Sequence, residues 1–149
     1  MIDKTPGMTL KSIGTVRSKI KQKTRRKFKD LLSEIVVDPA LTEGLDDLSD
    51  FSHIIVIFWM HQRSGEVPLK VRPRGNPALS LTGVFATRSP DRPNPLGKST
   101  VELIQRRDNI LTVKGLDAID GTPVIDIKPY IPGYDSVESA RAPSWVIKP

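Results

Sequence analysis

The chain has 149 residues, 38% of them hydrophobic and 27% charged, the composition of one ordinary globular domain spanning residues 1–149. It has no cysteine and only His53 and His61 as imidazoles, so a disulfide framework is excluded and no metal is expected. The formal net charge is +6 and the pI about 9.7, which favours an anionic partner.

In chain order, Met1 to Lys11 lacks the apolar core of a signal peptide, so a cytoplasmic protein is expected. Candidate strands run over Ser12–Arg17, Glu34–Val37, His53–Trp59, Thr82–Ala86, Thr100–Ile104, Ile110–Lys114 and Pro123–Ile127. Gly, Pro, Asn or Asp bounds each of them, as in a barrel or sandwich. A short helix is expected near Pro39–Leu48, followed by a polar turn over Asp46–Asp50. The run Ile54 to Met60 has seven apolar residues and no polar face, which predicts a central strand buried on both sides. It is too short to span a membrane, and no membrane association is expected. Asp108 and Asn109 mark the turn of a hairpin over Arg107–Val113. The thirteen prolines argue against long helices. The expected class is mainly all-β: a single-sheet barrel, closed or partly open, with short helical segments.

Charge is segregated along the chain. Arg17, Lys19, Lys21, Lys23, Arg25, Arg26, Lys27 and Lys29 follow one another without an acid, whereas Leu31 to Asp50 carries six acids and no base. Such a basic segment suits a phosphate backbone, although a solvated surface loop has the same appearance.

Three stretches can carry chemistry. In Gly83 to Thr100, three prolines within six residues stiffen a loop that presents Arg88 and Arg92, an arrangement suited to a carboxylate or phosphate. The competing reading pairs those arginines with Asp91 or Glu102. Asp117 and Asp120 stand three apart across a bend before Gly121, where they could accept bonds from a ligand amine or ribose, or merely cap the local backbone. His61 and Gln62 end the apolar strand, where a barrel opens to its ligand, but a lone histidine there is more often an edge residue. No dinucleotide fingerprint, P-loop, nucleophile elbow or metalloprotease helix is present, since Leu96-Gly-Lys-Ser-Thr100 lacks the upstream glycine of a P-loop.

Taken together, these motifs resemble the TrmO, or TsaA-like, family. The matching stretches are Ile13-Gly-Thr-Val-Arg-Ser18, Gly44-Leu45, Phe51-Ser-His53, His61-Gln62, Val71-Arg-Pro73, Gly83-Val-Phe-Ala-Thr-Arg-Ser89 and Arg92-Pro-Asn-Pro-Leu-Gly97. Leu116 through Pro132, containing Asp120-Gly-Thr-Pro-Val-Ile-Asp-Ile-Lys-Pro-Tyr130, completes the set.

The resemblance implies a homodimeric barrel that uses S-adenosyl-L-methionine to methylate N6 of N6-threonylcarbamoyladenosine beside the tRNA anticodon. It implies cofactor contacts from His61, Gln62, Arg88 and the Asp117, Ala118, Ile119, Asp120 turn. A Pro-Arg-Gln contact of the family falls here on Thr24-Arg25-Arg26, which carries the cofactor-binding role to Arg25 and Arg26, and Lys98, standing where relatives have an apolar residue, is also counted among the cofactor-binding residues. Arg72, Arg74, Arg92, Asn94 and Lys128 would meet the tRNA, with Tyr130 stacking on a splayed base. His61, Asp117, Asp126 and Tyr130 are left as unranked candidates for the catalytic group. Two other readings stay open: a non-catalytic RNA-binding barrel, and a methyltransferase for another substrate.

Overall fold

The computed structural model describes residues 7–22, 28–61 and 65–146. Its strands are β1 (Gly14–Arg17), β2 (Leu32–Val37), β3 (His53–Trp59), β4 (Lys70–Val71), β5 (Thr82–Gly83), β6 (Leu96–Arg107), β7 (Ile110–Lys114) and β8 (Pro123–Pro129). Six of them close into an antiparallel barrel in the order β1-β2-β7-β6-β3-β8, and β4 with β5 forms a separate two-stranded ribbon. Closure leaves the barrel no unpaired edge.

Alternation along the strands fills the interior. Ile54, Val56 and Phe58 of β3 meet Val16, Ile35, Val37, Val101, Leu111, Val113, Leu116 and Val124 there. Burying each such side chain contributes about 1.5–3 kcal/mol, which is why the alternating strands dominate the fold. β3 departs from the expectation of burial on both faces: Ile55, Ile57 and Trp59 are only half-buried on the outer wall.

β6 is longer than its sequence pattern suggests. Leu96–Glu102 pairs with β3 and Glu102–Arg107 with β7, with a register shift between Leu103 and Gln105. At Gly97 the Phe58 ring fills the space of a side chain, since a Cβ there would clash with Phe58 Cε2. The expected hairpin turn is present, with Asp108 at φ +53° and Asn109 bonded to Val37 through both its carbonyl and its side-chain amide.

Two expected elements change character. The Pro39–Leu48 segment forms 3-10 turns over Pro39–Leu45 and Leu48–Asp50, split where Asp47 takes a left-handed φ of +67°. Asp38 caps the first turn by accepting from Ala40 N–H at 3.0 Å. The Thr82–Ala86 strand ends at Gly83, because the Thr87 N–H and hydroxyl both return to the Val84 carbonyl and curl Val84–Ala86 into a 3-10 turn.

Register divides the barrel into two ends. Gly14 pairs with Val37 and Arg17 with Glu34; Lys114 pairs with Leu32 and Ile110 with Val36. Trp59 and Leu96 therefore lie toward the Arg17 end, and Pro129 toward the Gly14 end.

Candidate functional site

Three segments distant in sequence meet at the Arg17 end. β3 exits there into Met60 and His61, and Met60 N–H bonds the Pro95 carbonyl at 2.8 Å, which fixes the proline-rich loop beside that exit. The bend between β7 and β8, carrying Asp117 to Thr122, closes the same end. Gly121 sits at φ +82°, and a Cβ on it would come 3.8 Å from His61 Nε2, so the imidazole lies against the bend. The left-handed backbone is the reason for glycine at this position.

The bend is bound to the start of the basic segment. Asp120 N–H donates to the Ile20 carbonyl at 2.7 Å and Gly121 N–H to the Val16 carbonyl at 2.8 Å. The Asp120 carboxylate accepts from Lys21 Nζ at 2.6 Å and from Ser18 N–H at 2.9 Å. The Lys21 ammonium, then the Ser18 N–H, hold this carboxyl below its ordinary value of 3.8. Asp120 is thus engaged by its own chain; Asp117 is more exposed than Asp120. Ala118 is buried and Ile119 half-buried; the Ile119 carbonyl accepts from the Thr122 hydroxyl at 2.7 Å. Arg17 pairs with Glu34 at 3.0 Å. Both cations whose partners are seen here, Arg17 and Lys21, are turned partly to structure, which reduces the positive field expected of the segment.

In the proline-rich loop the two arginines have different surroundings. Arg88 is exposed. Arg92 is half-buried, and its Nη1 donates to the Thr87 and Ser89 carbonyls at 2.9 and 3.2 Å. Asn94 is exposed, and its carbonyl accepts from Leu96 N–H at 2.7 Å.

Among the other expected residues, Tyr130 and Asp126 lie toward the Gly14 end. Tyr130 N–H bonds the His53 carbonyl at 3.0 Å and its ring stands edge-on to His53, centroids 6.4 Å apart. His53 and Trp59 are the two ends of β3, about 20 Å apart at the usual strand rise, so Tyr130 and His61 lie at opposite ends of one chain. Asp126 forms an ion pair with Lys128 at 3.0 Å. It lines an apolar cleft of about 360 Å³ at the Gly14 end with Leu41, Leu45, Leu48 and Phe51. Lys98 projects from the outer wall opposite Ile57 and donates to the Thr100 hydroxyl at 3.0 Å. Arg72 and Arg74 bond the Leu79 and Val146 carbonyls, which joins them to neighbouring loops. Arg25, Arg26 and Gln62 lie outside the described residues.

The sequence reading overlooked Ser18 and Lys21 as partners of Asp120, and Phe85 beside the Arg88 loop. Phe85 is 76% exposed and, with Leu69 and Leu81, leaves an apolar surface along the ribbon. Only the break of the Gly83-Val-Phe-Ala stretch into a turn reveals it.

Comparison with known proteins fits this geometry. The family described as "tRNA-methyltransferase O N-terminal domain" matches residues 17–136. A probable S-adenosyl-L-methionine-binding protein of Archaeoglobus fulgidus is 42% identical over 136 residues, covering 89% of this chain and 36% of the relative. A second protein of that organism, an S-adenosyl-L-methionine-binding protein, is 43% identical over 134 residues, covering 87% of this chain and 94% of its own length. The crystal structure of TrmO from Pseudomonas aeruginosa superposes with a TM-score of 0.73 at 33% identity, over 91% of this chain and 61% of that one. The chain thus spans about a third of the first relative and three-fifths of the crystal structure. On the extent of the family match and on these identities, the chain belongs to the family of tRNA-methyltransferase O N-terminal domains.

Proposed function

We propose that the chain binds S-adenosyl-L-methionine at the Arg17 end and methylates N6 of N6-threonylcarbamoyladenosine beside the tRNA anticodon. The observation that carries this reading is the convergence of His61, the Arg88 loop and the Asp117–Asp120 bend at one end of the barrel. The donor set suits the cofactor. An exposed guanidinium on a stiff loop fits the methionine carboxylate, and an exposed Asp117 fits its ammonium or ribose hydroxyls. The open surface at Gly121, which a larger side chain would crowd toward His61, leaves room against the bend.

When bound, the sulfonium supplies an electrophilic methyl group to an in-line displacement, for which positioning dominates the rate. Arg88 and Asp117 orient. His61, lying against Gly121, is placed to take the proton that N6 loses, a role that geometry favours over Asp126 and Tyr130 at the far end. Arg25, Arg26 and Gln62 remain in the proposal on the resemblance alone. The same resemblance extends it to a cytoplasmic homodimer whose tRNA lies on the Arg17–Lys29 segment.

Calorimetric titration with S-adenosyl-L-methionine tests the reading. Binding by the wild type that Arg88→Ala weakens about 100-fold is expected for a lost charge-assisted contact. Transfer of labelled methyl to threonylcarbamoylated tRNA, abolished in unmodified tRNA, then tests the substrate. No heat at any usable concentration, with tRNA still bound in a salt-dependent manner, would overturn the enzyme reading in favour of a plain RNA-binding barrel.

A further inference from the structure

Arg88 and Arg92 lie four residues apart on one loop, and both suit an anion by residue type. Their surroundings separate them. Arg92 Nη1 donates to the carbonyls of Thr87 and Ser89, the residues immediately before and after Arg88. Further bonds tighten the same stretch: Thr87 Oγ1 donates to the Val84 carbonyl at 2.8 Å and accepts from Ser89 N–H at 3.3 Å. Ser89 Oγ accepts from Asp91 N–H at 3.2 Å, and Arg92 N–H donates to the Pro90 carbonyl at 2.9 Å. Pro90, Pro93 and Pro95 fix φ through the rest of the loop. Arg88 is the exposed side chain at the centre of this brace.

We infer that Arg92 is a positioning residue for Arg88 and not a contact to tRNA phosphate. A guanidinium that bridges these two carbonyls clamps the Thr87–Arg88 and Ser89–Pro90 peptide groups, which bracket Arg88, so the Arg88 side chain leaves a restrained Cα. Without the clamp the loop relaxes, and Arg88 must be ordered when ligand binds, at an entropic cost taken from affinity. The proline spacing alone does not accomplish this, because prolines fix φ only beyond Ser89.

The inference rests on the proposal that Arg88 contacts the cofactor, and the test separates the two. S-adenosyl-L-methionine affinity is measured by calorimetry for wild type, Arg88→Ala, Arg92→Met and the double variant, and the tRNA affinity of each is followed against salt. Methionine keeps the aliphatic stem and removes only the donors; Arg92→Lys, which restores a donor, is the second variant should Arg92→Met fail to fold. Positioning predicts that Arg92→Met weakens cofactor affinity roughly 10-fold, with no further loss in the Arg88→Ala background. It also predicts that Arg92→Lys recovers part of the loss and that the slope of log affinity for tRNA against log salt is unchanged. A phosphate contact predicts unchanged cofactor affinity and a slope smaller by about one. That result, or losses that simply add, overturns the inference. Should Arg88→Ala itself bind cofactor as the wild type does, the cofactor reading of Arg88 is what fails.

Discussion

The two ends of this barrel are built from the same strands yet hold their groups differently. At the Arg17 end, long-range bonds tie loops together: Asp120 to Ser18 and Lys21, and Met60 to Pro95. Arg88 is exposed on that tied frame. At the Gly14 end bonds also cross long stretches of sequence, but the polar groups they use are engaged with one another or with the backbone. Asp126 pairs with Lys128, Asp46 with Arg106, and Asn109 with the Val37 backbone, around a cleft floored by apolar side chains. The difference teaches that charge alone does not mark a site. A carboxylate already engaged by its own chain stabilises the fold, whereas an exposed cation on a rigid frame is available to a ligand.

Substitutions break or sharpen that comparison. The largest effect is expected in the shared core: Ile54→Ala removes a fully buried side chain and should lower stability by about 2–5 kcal/mol in chemical denaturation. A loss below 1 kcal/mol would mean that β3 is not the packed centre common to both ends. Gly97→Ala drives a methyl into the Phe58 ring, and about 1–3 kcal/mol of destabilisation is expected by the same assay. Tyr130→Ala gives up the edge contact with His53, about 0.5–1.5 kcal/mol, and should leave S-adenosyl-L-methionine affinity within about twofold of wild type. A large loss of affinity there would bring the Gly14 end into the cofactor site.

The smallest effect is one of pH. The Asp120 carboxyl titrates below its ordinary 3.8 because the Lys21 ammonium and the Ser18 N–H favour its charged form. Its contribution is therefore complete above the unfolded value and is lost as pH falls through the lower folded one. Hydrogen exchange over residues 117–122 should be flat down to about pH 4, after correction for intrinsic rates, and should rise only below it. Asp120→Asn should remove that acid step without unfolding the chain.

The barrel was largely legible in the sequence. β3 and β7 match their expected bounds, because short β-branched and apolar runs flanked by turn residues leave few other solutions. β6 was seen only as Thr100–Ile104, since Gly97 and Lys98 interrupt its pattern and its two halves pair with different strands. The 3-10 turns after Asp38 read as a helix because the left-handed Asp47 has no marker such as glycine. In the candidate site the residue types were legible and their roles were not. Nothing in Arg-Ser-Pro-Asp-Arg distinguishes the arginine that clamps from the one that projects, and nothing near Asp120 names Lys21, 99 positions away. Those roles follow from closure of the barrel, which brings β1 beside β8.

The most direct test of the account is hydrogen–deuterium exchange of the whole chain with and without S-adenosyl-L-methionine. Protection of residues 87–96 and 117–121 is predicted, with residues 38–51 unaffected. Protection confined to residues 38–51 and 126–130, with none at the Arg88 loop or the Asp117–Asp120 bend, would contradict it.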